Sequence, residues 1–483
     1  MNGRAAGKNL FVIFGATGDL MRHKLLPALF RLNKRGLVPP DSPVLGVARG
    51  ELDDVQFRAF AKDALAKIAP AEEVARWCDR CLVFHSLGKK GDDYAGLAQR
   101  MSQVEKERGL AGHRVIYLAL PLQAVPGTVN GLGGAGLGRT SAGTRLVIEK
   151  PFGYDLESAA ELNKVLRAHF DDHQIYRIDH YLGKETVQNL LIFRFANAMF
   201  EPIWNRDRVS RVEITVAEEN GVGARAGFYE KAGAFRDIIQ NHLTQVLCLV
   251  AMEPPSVFTA EEIGREKVKV LKSVEPIDPG DAVFGRYTRG NMSDGKEVPG
   301  YLEEPDVPAT STTDTYAAMR LSIANWRWQG VPFFVRTGKR LERKVTRIVV
   351  SFRCPPVSMF APQGTCVISS NTLEITLQPD EGFDLSFQVK SPGPGVDLAT
   401  QRMHFRYAEA FGALDEAYEK LLLDAMRGDE TNFVRSDEVE YAWRLYTPVL
   451  ESPRTLHEYR AGTWGPKEAD RLFEGYGPCW TPV

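Results

Sequence analysis

The stretch Leu10-Phe11-Val12-Ile13-Phe14-Gly15-Ala16-Thr17-Gly18-Asp19-Leu20 decides the fold. Its five leading apolar residues read as a strand buried on both faces, and the turn after them places two glycines ahead of a segment with helical spacing. Such glycines let the backbone turn sharply and approach a pyrophosphate, to which the first turn of the helix presents free N–H groups. The strict G-x-G-x-x-G form is absent, and a plain strand-to-helix corner with no ligand also fits. What gives the turn weight is its place at the head of a repeated pattern. Short apolar runs recur at 10–14, 44–48, 81–85, 113–120, 144–149 and 174–178, with helical spacing at 20–35, 53–68, 91–108 and 155–170 between them. Parallel strands need such crossovers, so the first part is expected to be an α/β, Rossmann-like, doubly wound parallel sheet. Pro27 is expected to kink the first helix or mark its start. The glycine-rich piece Gly127 to Gly143 reads as a loop, or as a helix and loop.

After about residue 180 the rhythm changes. Val212, Ile214 and Val216 alternate with polar residues, as do Leu373-Ile375-Leu377 and Phe383-Leu385-Phe387-Val389, the pattern of antiparallel strands with one buried face. Helical segments are expected near 227–252, 413–427 and 436–450, and a long irregular excursion over Phe284 to Thr313. The expected architecture is a dinucleotide-binding domain over 1–178 and a larger α+β domain with a mostly antiparallel sheet over 179–483.

Composition agrees with two or three globular domains. The chain has 483 residues, 44% hydrophobic and 25% charged. Sixty Lys and Arg against 62 Asp and Glu leave a formal charge of −2, so no global field recruits nucleic acid or an anionic membrane. No stretch approaches the roughly 18 apolar residues of a membrane span. Six cysteines are too few for a disulfide framework at this length and favour a cytoplasmic setting. Cys78-Asp79-Arg80-Cys81 has the C-x-x-C spacing but lacks a second ligand pair or a redox context, so it reads as coincidence.

Two places carry chemistry. The second strand, Val44 to Ala48, ends in Arg49. NAD-binding domains generally place an acid there for the ribose 2′-OH, whereas a guanidinium offers a planar cation to a 2′-phosphate. The position leans towards NADP, with a solvated surface arginine as the alternative. The second place is Arg177-Ile178-Asp179-His180-Tyr181-Leu182-Gly183-Lys184, where the α/β pattern ends. Alone, it would pass for a polar turn between domains.

It does not stand alone. Asp-His-Tyr-Leu-Gly-Lys (179–184) closely resembles the signature of the glucose-6-phosphate dehydrogenase family, and the resemblance runs along essentially the whole chain. Gly-Ala-Thr-Gly-Asp-Leu (15–20), Tyr-Leu-Ala-Leu-Pro (117–121) and Glu-Lys-Pro-Phe-Gly (149–153) resemble its coenzyme domain. Arg-Asp-Ile-Ile-Gln-Asn-His-Leu (236–243), Val-Pro-Gly-Tyr-Leu-Glu-Glu-Pro (298–305) and Arg-Thr-Gly-Lys (336–339) resemble its second domain. Two departures are minor: Leu122 stands where many members have a second proline, and Ala16-Thr17 fill variable positions of the first turn.

The resemblance implies oxidation of glucose 6-phosphate at C1 to the 6-phospho-1,5-lactone, the first step of the oxidative pentose phosphate pathway. Hydride would pass to NADP, with NAD as a secondary possibility and no metal. It implies His242 as general base and Asp179 as the carboxylate on its other ring nitrogen. His180, Tyr181 and Lys184 are implied at the 6-phosphate, Glu218 and Asp237 at sugar hydroxyls, and Lys150 between substrate and nicotinamide. Lys339 and Lys344 are implied to reach the substrate from the second domain, with Lys24 a weaker candidate. Coenzyme contacts are implied at Gly15, Ala16, Thr17, Gly18, Asp19, Leu20, Arg49, Tyr117 and Lys150, and a homodimer or homotetramer through the second domain.

The residue pattern adds its own view of His242. On a helix it follows Ile238 by four and precedes Val246 by four, so it lies on the apolar stripe, ordinarily the place of a core histidine with one partner. The surrounding motif reverses that order of preference, and a neutral imidazole with a reference pKa of about 6.5 suits a base near neutral pH. Two other readings stay open: a dehydrogenase of another phosphorylated or amino sugar, and a catalytically silent nucleotide-binding sensor, against which the presence of His242 and Asp179 counts.

Overall fold

The computed structural model describes residues 5–139, 143–357, 369–394, 397–477 and 479–482. They fall into two compact units. The first comprises Met1–Lys184, Ser256–Gly264 and Asp415–Glu440. Its sheet has six strands, β1 (Leu10–Phe14), β2 (Val44–Ala48), β3 (Leu82–Ser86), β4 (Arg114–Leu118), β5 (Thr144–Glu149) and β6 (Ile175–Ile178), in the order β3-β2-β1-β4-β5-β6. Every neighbouring pair is parallel. The strand order reverses between β1 and β4, which opens a crevice beyond their C-terminal ends.

The helix after β1 opens with one wide π turn, Met21–Leu25, and continues as α1, Leu26–Lys34. Pro27 has no N–H to send back to His23, and the wide turn puts that missing bond just ahead of regular helix. The later crossovers are α2 (Asp54–Leu65), α3 (Ala71–Cys81), α4 (Tyr94–Arg108), α5 (Val125–Gly134) and α6 (Leu156–His169). Most begin on a sequence-encoded cap: Asp53 accepts from Gln56 N, Asp93 from Gly96 N and Asp155 from Ser158 N. The glycine-rich piece is thus a helix over its first part, while 140–142 lie outside the described residues. Helix α3, absent from the sequence reading, buries Cys78 and Cys81 as free thiols. Burial pushes both thiols up, Cys78 to about 12, which leaves them inert.

A single cut after residue 178 does not describe these units, because the first takes back a late segment. Leu421, Leu422, Ala425 and Met426 of the helix Ala417–Arg427 share one core with Phe11, Leu29 and Phe30. Phe433 meets the Tyr176 ring edge-on at 4.8 Å, and Val434 bridges Arg177. Arg31 and Arg35 add ion pairs to Glu419 at 3.2 Å each. The segment covers apolar surface that α1 and β6 would otherwise leave in water.

The second unit comprises Glu185–Pro255, Arg265–Leu414 and Tyr441–Val483. Its large sheet contains β7 (Val209–Ala217), β8 (Ala282–Thr288), β11 (Tyr316–Leu321), β12 (Phe333–Gly338), β13 (Val345–Phe352), β14 (Thr372–Gln378), β15 (Gly382–Lys390), β16 (Leu398–Arg406) and β17 (Leu456–Arg460). A small hairpin, β9 (Gly290–Asn291) with β10 (Glu297–Val298), stands apart from it. The order is β16-β15-β14-β13-β7-β12-β11-β8-β17; β7 with β12 and β8 with β17 are parallel, and the rest antiparallel. The excursion expected from Phe284 begins in fact inside β8, whose first four residues are buried on both faces and so show no alternation.

Against this sheet lies a helical run of α8 (Ala226–Ala234), a π segment Phe235–Leu243 and α9 (Thr244–Ala251). From Ala232 to Ala251 every residue except Arg236 is buried. Buried helix ends need partners for their last carbonyls. Here the Trp204 and Trp328 indoles donate to Val250 O and Ala251 O at 2.8 Å each. Arg194, on α7 (Glu185–Phe195), donates to Leu249 O at 2.9 Å and Met252 O at 2.8 Å. Among the described residues no helix is long and apolar enough to cross a membrane.

Candidate active site

In the first unit, Gly15 ends β1 with φ +77°, and a Cβ there would stand 2.3 Å from the Ala119 carbonyl oxygen beyond β4. Only glycine lets the two strand ends close this tightly. The Gly15 and Ala16 N–H groups donate to Val47 O, Ala16 is fully buried, and Thr17, Gly18 and Asp19 are exposed at the start of the helix that Leu20 continues. That is a cradle of the kind a pyrophosphate fills. Arg49, just past β2, is exposed and makes no ion pair among the described residues. Its stem lies on the turn at Gly91, where a Cβ would come within 3.0 Å of Arg49 Cδ. Lys24 is instead paired with Glu416 at 3.1 Å.

Tyr117 on β4 is fully buried, and its hydroxyl donates to Glu149 at the end of β5. The Tyr418 hydroxyl donates to the same carboxylate oxygen at 3.2 Å. Burial pushes the Glu149 carboxyl up, partly offset by the two hydroxyls and the neighbouring Lys150 charge. The Tyr117 hydroxyl, expected at the coenzyme, is thus buried against Glu149, and the Lys150–Pro151 peptide bond is cis. Beyond β6, Asp179 is buried and accepts the Tyr181 N–H at 2.9 Å. The His180 and Tyr181 ring centroids are 5.1 Å apart, and Lys184 Nζ lies 4.1 Å over the Tyr181 ring. Imidazole, phenol and ammonium are thus gathered into one group able to receive an anion.

In the second unit, β7 and β12 run parallel with Ala217 opposite Gly338, so Glu218 and Lys339 emerge side by side. Lys339 Nζ stands 2.7 Å from Glu218 Oε2 and 5.0 Å from the Tyr229 ring centre. Burial, then the charges of Asp237 and Glu218, push the Tyr229 hydroxyl well above its ordinary range. Asp237 and His242 lie on the buried π segment, 5% and 0% exposed. Lys344, at the foot of β13, is exposed and has no ion pair among the described residues. Sequence reasoning missed Tyr229 and Tyr418, which sit in no motif it used. Glu149 carried a signal, since it immediately precedes Lys150.

A parallel sheet of this order with a glycine turn at its switch point defines a Rossmann-like dinucleotide-binding protein, here with a second α+β unit. Comparison with known proteins narrows the class. Residues 12–189 match the glucose-6-phosphate dehydrogenase NAD binding domain, and 191–481 match the glucose-6-phosphate dehydrogenase C-terminal domain. Glucose-6-phosphate 1-dehydrogenase of Aggregatibacter actinomycetemcomitans is 45% identical over 97% of this chain and 96% of its own. That of Treponema pallidum is 42% identical over 98% and 95%. A solved glucose-6-phosphate dehydrogenase in complex with glucose 6-phosphate superposes with a TM-score of 0.90 at 36% identity, covering 100% of both chains. The Mycobacterium avium enzyme gives 0.85 at 35% over 99% of each. The chain belongs to the glucose-6-phosphate dehydrogenase family.

Proposed function

We propose that the protein oxidises glucose 6-phosphate at C1 to 6-phospho-glucono-1,5-lactone with NADP as coenzyme. The observation that carries this reading is the end-to-end match to proteins of that activity, one of them solved with the sugar phosphate bound. The Gly15–Leu20 turn and Lys150 would hold the coenzyme, and Arg49, an exposed cation with no ion pair among the described residues, favours the 2′-phosphate of NADP over NAD. When bound, the coenzyme accepts the hydride from C1. His242 takes the proton of the C1 hydroxyl as the C1–O double bond forms, and its burial keeps water from competing for that proton. Asp179 stabilises the resulting imidazolium, as a triad carboxylate does. His180, Tyr181 and Lys184 receive the 6-phosphate, while Asp237 and the Glu218–Lys339 pair hold the sugar hydroxyls. Lys344, exposed and without an ion pair among the described residues, would reach the substrate's outer edge. The free thiols support a cytoplasmic setting.

Initial rates with glucose 6-phosphate, other hexose phosphates and both coenzymes test the activity. His242→Asn is expected to lower kcat by roughly 10²–10⁴ with a smaller change in substrate affinity, as removal of a general base does. Near-wild-type turnover in that variant would remove His242 from the role.

A further inference from the structure

The helical run that carries Asp237 and His242 is pinned at its C-terminal end by Trp204, Trp328 and Arg194. Gly233 breaks the run with a non-helical backbone, and the segment that restarts at Ala234 is held at its beginning by a different device. Asp314, 1% exposed, accepts the Phe235 backbone N–H at 2.9 Å on Oδ2, and its own carbonyl accepts the Ala234 N–H at 2.9 Å. Gly233, at φ +64°, is the residue that allows this approach, since a Cβ there would stand 2.7 Å from Asp314 Oδ1. Arg454 Nη1 lies 3.3 Å from the same oxygen. The Arg454 guanidinium also sits 4.7 Å over the Phe284 ring, which stacks on Phe235 at 5.7 Å. Arg454 therefore bears on the start of this segment twice, by its charge beside the carboxylate, to which Nη1 makes no hydrogen bond, and by stacking on the rings.

We propose that Arg454 is a positioning residue: by holding the Asp314 cap against the Phe235 turn, it fixes where the helix presents Asp237 and His242. The inference rests on the reading of those two as site residues. A carboxylate at a helix N-terminus is favoured by the free N–H groups and the dipole but disfavoured by loss of water. Burial pushes the Asp314 carboxyl up, and Arg454 is the largest opposing influence. Without the guanidinium, the buried carboxyl loses its nearest counter-charge, and the segment is anchored firmly at one end only.

The structure also supplies a way to test this. Arg454 lines a cavity of about 340 Å³ with Phe284, Val449 and Thr455, so truncating it opens a space that free guanidinium can enter. Arg454→Ala is expected to lower kcat per folded active site roughly 10–100-fold, the scale of an ångström-sized misplacement, with the KM for coenzyme unchanged. Guanidinium at sub-denaturing concentration should restore part of the loss, and sodium at equal ionic strength should not. An unchanged kcat with only a lowered unfolding midpoint, or equal responses to the two cations, overturns the proposal. If Arg454→Ala does not accumulate folded, Arg454→Lys and Asp314→Asn replace it: the double variant should be no slower than the slower single, and additive losses overturn the proposal. His242→Asn separates the two layers. Should it keep its turnover, the reading of the site fails; should it be inactive while the Arg454 variants turn over normally, the positioning role alone fails.

Discussion

Substituting Gly15 by alanine tests the coenzyme crevice at its tightest point. The added Cβ would stand 2.3 Å from the Ala119 carbonyl oxygen, where ordinary contact begins at 3.4 Å, so the ends of β1 and β4 must part by about an ångström. Neither end yields easily. Ala119 N–H donates to Phe14 O at 3.1 Å, and Gly15 N–H donates to Val47 O at 2.9 Å. An alanine held at positive φ costs roughly 1–2 kcal/mol, and overpacking adds about 1–3 kcal/mol, which together give roughly 2–5 kcal/mol. Urea unfolding measures that loss, hydrogen exchange of the β1 and β4 amides locates it, and NADPH fluorescence titration should show coenzyme affinity at least tenfold weaker. Gly18→Ala is the control. Its φ is ordinary and its nearest contact is 3.3 Å from Gly15 O, so stability should change by less than about 1 kcal/mol. Coenzyme binding should still weaken, because a methyl group would stand where the pyrophosphate approaches. A Gly15→Ala protein with wild-type stability and wild-type coenzyme affinity would refute the reasoning.

Two further outcomes follow from single side chains. Arg49→Ala should weaken NADP roughly 10–100-fold, the worth of a charge-assisted bond of about 1.5–3 kcal/mol, and NAD much less; equal losses in kinetic comparison would free Arg49 of the 2′-phosphate. Glu149→Gln tests the buried carboxyl held by Tyr117 and Tyr418. Its pKa is raised from 4.5 in the folded state, so its stabilising contribution is complete below that value and is lost as pH rises through the folded pKa. Glutamine does not titrate, so the variant should gain stability relative to wild type as pH rises from 4.5 towards neutrality, read from unfolding midpoints across that range; a variant that instead loses stability relative to wild type over that range would contradict the burial argument.

What the sequence revealed and what it hid divide along a physical line. Features written locally were legible: β1 and its glycine turn, the helical spacing at 53–68 and 155–170, the alternation in β14 and β15, and the Asp179–Lys184 cluster. Each depends on residues a few positions apart. Features settled by partners far along the chain were not. Helix Ala417–Arg427 displays an apolar face through Leu421, Leu422 and Met426, but nothing in that spacing says that it belongs with Phe11 and Phe30, some 390 residues earlier. The donors to the last carbonyls of the His242 helix come from Arg194, Trp204 and Trp328, and its cap comes from Asp314; in the sequence these are an arginine, two indoles and an aspartate with no mutual signature. Arg194 shows why such residues matter to the site. Burial lowers its pKa to about 9, so the chain accepts a substantial desolvation cost to put two strong donors on those carbonyls. A base that must meet a small hydroxyl proton needs a helix that does not slide. A helix without slack has to be held at both ends by groups that only the finished fold brings within reach.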